Sequence, residues 1–215
     1  MQDVQHYSFK AEIARKLFHL TNLTIPVIYY FIPKSTALTI LIPITLIVLA
    51  VDVIRFYHQP TADLFNKFFG LLLRSSERDN SNPRLNGATL VLISATICII
   101  IFPKLFAVTG LITLTFADSA AAIFGRRFGK RKFFDKSLEG SLAFFIAACF
   151  VILLTPKFNY EITEYLIGFG AAAVGALAEA VSGFIDNLAI PVSVASILWI
   201  GYTLFLPHID IYMIR

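Results

Sequence analysis

Apolar residues in this chain come in long unbroken runs, not in the alternation of a half-buried strand or the narrow stripe of a surface helix. Seven runs, roughly 18–33, 36–55, 88–103, 105–124, 138–155, 163–181 and 188–206, are each near the length an α-helix needs to cross about 30 Å of hydrocarbon. Short links carrying proline or polar residues separate them: Pro33-Lys34-Ser35, Pro103-Lys104, and Pro156 to Glu161. Two longer polar connections, 56–87 and 125–137, break the pattern. In the first, Leu64, Phe65, Phe68, Leu71 and Leu72 recur at helical spacing opposite Asp63, Asn66, Lys67 and Arg74. That spacing predicts an amphipathic helix lying in the membrane interface. A helix packed on the bundle with a wet outer face would read the same way. Ser75 to Asn82 is a polar loop. The expected fold is all-α: a polytopic membrane protein with about seven transmembrane helices plus one interfacial helix, forming one domain over 1–215.

Composition supports the membrane reading. The chain is 57% hydrophobic and only 15% charged, where a soluble domain carries about 25% charged residues. Its mean hydropathy is +0.75. Nothing in this balance suggests a nucleic-acid partner; the lipid bilayer is the first partner implied. Lys10, Glu12, Arg15 and Lys16 precede the first run and no small-residue cleavage site follows, so no cleavable signal is expected. Cys98 and Cys149 lie inside apolar runs, where packing is the plain reading. With seven crossings and an inside N-terminus, every Lys and Arg falls inside except Lys34, Lys104, Lys157 and Arg215. The positive-inside rule therefore places the N-terminus in the cytoplasm and the C-terminus outside. The expected location is the inner cell membrane or its equivalent, with the active site on the cytoplasmic side and little chemistry on the outer one.

The polar residues that remain gather at the inner level. Asp118 ends an apolar run and shares a helical face with Ala121, Ala122 and Gly125, small residues that allow close approach. An ionisable group at membrane depth is expensive and points to function, although an ion pair with Arg15 or Lys16 would also explain it. The following stretch interleaves Gly125 and Gly129 with Arg126, Arg127, Lys130, Arg131 and Lys132, then delivers Lys136, Ser137, Glu139, Gly140 and Ser141. Cations and glycine amides suit phosphate oxygens, and a carboxylate at a helix start suits a hard metal ion. Taken alone, a basic loop of this kind equally serves topology or anionic headgroups. Glu179 closes a small-residue face that includes Gly168, Ala172, Gly175 and Ala176; Asp186 and Asn187 then open the last run, where either could be a simple cap. His19 shares a face with Arg15 and Lys16, and Asp52 and Arg84 to Thr89 add polar groups at the same level. Carboxylates and cations at one membrane face fit a metal–nucleotide polyphosphate and an enzyme acting on a lipid. A small transporter or scaffold is the non-enzymatic alternative, but it would place charges along the bundle midplane.

In order along the chain, these residues resemble the CTP-dependent lipid kinase family that includes dolichol kinase, phytol kinase and CTP-using diacylglycerol kinase. The resemblance rests on Arg15, Lys16 and His19, on Arg84 to Thr89, on Ala117 to Lys130, on Lys136 to Ser141 and on Glu179 to Pro191. The Ala117–Lys130 and Lys136–Ser141 pair also looks like phosphatidate cytidylyltransferase. That family has Ser-Pro where this chain has Phe134-Asp135, and favours a second glycine pair where this chain has Ser141-Leu142. The resemblance implies CTP as co-substrate, a divalent ion (Mg²⁺, or Mn²⁺ or Ca²⁺), and a membrane lipid alcohol as acceptor, either diacylglycerol or a polyprenol or phytol. Transfer to the hydroxyl would be kinase chemistry; the alternative is CDP-diacylglycerol synthesis. In this reading Asp118, Glu139, Glu179 and Asp186 supply metal ligands, and Asp118, Glu139, Lys136, His19 and Asp186 act in catalysis. Gly125, Arg126, Arg127, Gly129, Lys130, Lys136, Ser137, Arg15, Lys16, Arg84 and Asn187 bind the nucleotide. A homodimer is compatible with the sequence.

Overall fold

A computed structural model describes residues 18–69 and 84–213. A short 3₁₀ turn, Thr21–Leu23, leads into α1 (Thr24–Phe31), followed by α2 (Lys34–Tyr57) and α3 (Gln59–Phe69). Then come α4 (Gly87–Ile101), α5 (Lys104–Phe128), a hairpin of β1 (Lys132–Phe133) and β2 (Lys136–Ser137), α6 (Leu138–Leu154) and α7 (Ile162–Val181). A second 3₁₀ turn, Gly183–Ile185, precedes α8 (Asp186–Phe205).

The all-α membrane fold is borne out, and the count of seven spans is not confirmed. Four helical segments are long and apolar enough to cross a membrane: α2, α5, α7 and 183–205. Helices α4 and α6 are apolar but shorter, at 15 and 17 residues. The run expected at 18–33 is helical from 18 to 31, but in pieces: an α turn at 18–20, the 3₁₀ turn Thr21–Leu23 and then α1. The expected amphipathic helix is present as α3. Its Ala62 is buried against the bundle while Leu64 and Phe68 stay exposed. Leu71, Leu72, Arg74 and Ser75 to Asn82, expected to continue this connection, lie outside the described residues.

Each helix start has a local reason. Pro33 and Pro103 sit just before α2 and α5, where a missing N–H costs nothing. Asn86 caps α4 by accepting from the Thr89 amide, and Ser137 caps α6 by accepting from Gly140. Glu161 and Glu164 form a reciprocal capping box at the start of α7.

Helix α5 is the centre of the bundle. Of its apolar window 72% is buried, against 22% for α2, so α5 is a core element and α2 faces lipid. It packs on α6, α8 and α1; α8 in turn packs on α7 and α4, and α4 on α2. Lipid tails are as apolar as leucine, so close packing of small residues must do much of the joining. A Cβ added at Gly110 would meet the Pro191 carbonyl oxygen at 2.7 Å, and one at Gly140 would meet the Ala121 carbonyl oxygen at 3.1 Å. These two contacts draw α5 against α8 and α6. The apolar layer of Leu114, Ala117, Phe144, Ala148 and Ile190 forms the core between those helices.

Candidate functional site

The β1–β2 hairpin pairs Lys132 with Ser137 and Phe133 with Lys136. Its tip is held down by the Asp135 amide, which donates to the Ala180 carbonyl at the end of α7 (3.1 Å). Phe134 in the turn has φ 50°, a left-handed backbone that bulky residues rarely adopt. The strained turn aims Lys136 into the gap between the end of α7 and the start of α8.

There Lys136 Nζ lies 3.0 Å from Asp186 Oδ2 and 3.4 Å from Glu179 Oε1. Both carboxylates are almost fully buried, whereas the lysine is only half-buried. Ser141 Oγ, one turn into α6, donates to the other oxygen of Glu179 (3.2 Å). Asp186 also accepts from the Asn187 amide (2.9 Å), and the Asn187 side chain donates to the Gly87 carbonyl at the start of α4 (3.2 Å). Asp186 is thus the first residue of α8 and an ion-pair partner, not the cap of that helix. Burial alone would lower the pKa of Lys136. The negative charges of Asp186, Glu179 and Asp118 outweigh it and hold the ammonium above the ordinary lysine value.

Asp118 is buried on α5, with His19 Nε2 3.8 Å from its Oδ2. The Asn22 amide nitrogen lies 3.3 Å from His19 Nδ1. This contact and the approach of Nε2 to Asp118 hold the ring between the two side chains. Asn22 was not singled out in the sequence; its spacing of three from His19 on a helical turn is the signal for it.

Around this buried group the cations are exposed. Arg126 and Arg127 occupy the last turn of α5 and not a loop, a position the helix dipole favours for positive charge. Lys130, Arg131 and Lys132 follow at the surface. Gly125 and Gly129 serve packing: a Cβ at Gly129 would meet Ser137 Oγ at 2.7 Å, and one at Gly125 would meet it at 3.0 Å. The four acids expected to hold metal divide. Glu179 and Asp186 share Lys136, and the charge of Asp118 reaches both Lys136 and Glu179. Glu139, by contrast, accepts from the Lys130 and Arg131 amides (3.0 and 3.4 Å), fixing the cationic loop. Among the described residues no three of His, Cys, Asp and Glu converge into a ready-made metal cage. Arg15 and Lys16 lie outside the described residues. Arg84 is placed at the same end, its guanidinium stacked over Phe184 (4.8 Å) just before Asp186.

The other end of the bundle is not bare, as the sequence had suggested. Lys104, Lys157 and Glu164 are buried there, and Lys34 Nζ donates to the Ile100 carbonyl (2.7 Å).

An uncharacterised protein of Rickettsia prowazekii is 31% identical over 189 residues, 86% of this chain and 92% of the relative. The CTP-dependent diacylglycerol kinase 1 of Schizosaccharomyces pombe is 31% identical over 168 residues, covering 69% of this chain and 73% of that protein. The phytol kinase of a Synechocystis species is 31% identical over 109 residues, 47% of each chain. No protein-family profile matches the chain. No solved structure matches it either. The chain is an integral membrane protein belonging to the CTP-dependent lipid kinase family.

Proposed function

We propose that this protein transfers the γ-phosphoryl group of CTP to the hydroxyl of a membrane lipid alcohol at the cytoplasmic face. The observation that carries the reading is the Lys136 ammonium held between buried Glu179 and Asp186, beside buried Asp118 and beneath an exposed cationic rim. Among acceptors, diacylglycerol is favoured over isoprenoid alcohols, because the diacylglycerol kinase relative aligns over 69% of the chain and the phytol kinase over 47%. The concentration of Lys and Arg at this end supports the cytoplasmic placement.

The chemistry follows from the parts. Phosphoryl transfer depends on positioning and charge neutralisation more than on covalent help. Arg126, Lys130 and Arg84 bind the triphosphate, and Lys136 neutralises charge as it shifts toward the β- and γ-phosphates. The lipid hydroxyl oxygen attacks the γ-phosphorus, the bond to the bridging oxygen of CDP breaks, and CDP leaves. Asp186 orients the hydroxyl and accepts its proton late, as a loose transition state allows. His19, its Nε2 3.8 Å from Asp118, orients that carboxylate. The donors Asp118, Glu179 and Asp186 are all oxygen, the chemistry Mg²⁺ prefers, and that ion is commonly held by one or two carboxylates completed by substrate phosphates. Asp118 with Glu179 would hold it. When bound, it neutralises the charge of the phosphates.

The test supplies CTP labelled at either the α or the γ position to purified protein with Mg²⁺ and diacylglycerol, phytol, a polyprenol or phosphatidate. Gamma label should move to a lipid alcohol. Alpha label on phosphatidate, with pyrophosphate released, would replace the kinase by a cytidylyltransferase. Asp118→Asn should lower transfer about a hundredfold or more while the protein remains folded and inserted. Unchanged turnover would remove Asp118 from the site.

A further inference from the structure

A second charged pair lies one segment away from the acids and is not used by the chemistry above. Asp52 and Arg55 sit near the end of α2, both almost fully buried, and form an ion pair through Asp52 Oδ1 and Arg55 Nε. A buried pair is worth its desolvation only when its remaining hydrogen-bonding capacity is filled. Two of these extra bonds reach one segment. Asp52 Oδ2 accepts from the Asn86 amide (2.8 Å), and Arg55 Nη2 donates to the Arg84 carbonyl (2.9 Å). The pair therefore grips both ends of Arg84-Leu85-Asn86, a stretch with no secondary structure of its own.

That segment leads directly to the acidic cluster. The Asn86 side chain caps α4 at the Thr89 amide (3.0 Å), and the next carbonyl, Gly87, accepts from Asn187 beside Asp186. Arg84 itself stacks on Phe184, two residues before Asp186. On its other side the Arg55 guanidinium lies over Phe65 of α3 (5.0 Å) and over Phe56 (4.8 Å). A continuous set of contacts thus runs from the amphipathic helix α3 through Arg55 to Arg84 and the start of α8.

We infer that Asp52 and Arg55 are positioning residues for nucleotide binding: they fix the Arg84–Asn86 segment so that Arg84 meets the CTP phosphates in register with the acidic cluster, and Phe65 steadies the clamp from α3. The inference rests on the kinase reading for its ligand, and on geometry alone for the clamp.

Arg55→Lys separates the two. Lysine keeps a positive charge opposite Asp52 but loses the planar fork that reaches the Arg84 carbonyl and stacks on Phe65. Full-length variant and parent would be compared in detergent by amide exchange of residues 86–89 and by steady-state kinetics against CTP and lipid separately. Exchange of those amides should rise about tenfold, with KM for CTP rising about tenfold and kcat and the lipid KM staying within about twofold. A general loss of structure would instead lower kcat and the melting midpoint and leave no selective effect on CTP; that result would overturn the inference. Unchanged exchange at 86–89 would overturn the clamp while leaving the kinase reading intact. Loosened exchange with an unchanged KM for CTP would overturn the positioning role. If the parent does not use CTP, the kinase reading falls and the nucleotide role with it, and exchange alone still decides the clamp. Should Arg55→Lys fail to fold, Phe65→Leu removes only the stacked ring. It should raise the KM for CTP about threefold, and no rise would overturn the inference.

Discussion

The two ends of this bundle bury carboxylates in opposite ways. At the end opposite the cationic loop, Glu164 is fully buried and accepts from the amides of Phe158, Asn159 and Glu161 (2.8, 3.0 and 2.9 Å) and from the Tyr202 hydroxyl (2.7 Å). Those donors are neutral, and three of them are backbone. Nearby, Lys157 spends its ammonium on the carbonyls of Ile152 and Thr155. At the Lys136 end, Glu179 and Asp186 share a long, half-buried lysine; Glu179 also accepts from the Ser141 hydroxyl, and Asp186 from a single backbone amide, that of Asn187. A carboxylate satisfied by backbone amides is locked, because its partners cannot leave without unwinding a helix start. One satisfied by a mobile ammonium can exchange that cation for another, or for substrate. Burial alone does not mark a reactive acid; the kind of partner does.

The sharpest way to break this comparison is Lys136→Met, which keeps the stem and deletes the charge. Transfer of the γ-phosphoryl group should fall about a thousandfold, near 4 kcal/mol of transition-state stabilisation, measured at saturating CTP and lipid. Glu179 and Asp186 would also lose their counter-charge, so a lowered melting midpoint should accompany the loss. A variant that turns over at the parental rate would reduce Lys136 to a structural counter-ion, and the two ends would then be alike.

Glu164→Gln probes the other end. The amide keeps one acceptor oxygen but turns an NH₂ toward donors that already point at it, leaving at least one buried N–H unmet. Unfolding should become easier by about 2–4 kcal/mol, read from denaturant or thermal midpoints in detergent. The kcat and KM of the surviving folded protein should stay at parental values. Lost activity with an unchanged midpoint would mean that the Glu164 end also belongs to the catalytic machinery.

Much of the architecture could be read from hydrophobic runs, since a helix that must satisfy its backbone in lipid leaves a run of defined length. The first run is helical from 18 to 31, but a 3₁₀ turn at Thr21–Leu23 interrupts it and it stops before Pro33, a break that the apolar pattern alone does not encode. The hairpin at Lys132–Ser137 was invisible because two-residue strands have no periodicity to detect, and a Phe134-Asp135 turn lacks the usual glycine. Among the candidate site residues, Asp118, Lys136, Glu179 and Asp186 announced themselves as charges beside apolar runs. Glu139 did so too, yet it turns to the Lys130 and Arg131 amides, a choice made by loop geometry that spacing does not encode. Glu164 passed unnoticed although Glu161 and Glu164 spell a capping pattern. The partners that make it a lock, Tyr202 above all, lie far along the chain.

The smallest effect separates the ends by pH. His208 Nε2 lies 2.9 Å from Glu161 Oε1, and this bond, followed by that of the Asn159 amide, holds the exposed Glu161 carboxyl below its ordinary value of 4.5. A depressed carboxyl contributes stability above its unfolded pKa and loses it as pH falls through the folded value. The melting midpoint should therefore hold steady down to about pH 5 and then decline. His208→Ala removes the first cause, so its deficit against the parent should be present at pH 6 and shrink below pH 4. Lys136 runs the other way. Its pKa is raised, so its contribution is complete below the unfolded lysine value near 10.5 and disappears only as pH climbs through the higher folded value. Lys136→Met should therefore show a midpoint deficit that is flat across neutral pH and narrows only in strong alkali. A deficit that instead narrowed between pH 6 and 8 would mean that Lys136 loses its proton near neutrality, and the ammonium bridge between Glu179 and Asp186 would have to be given up.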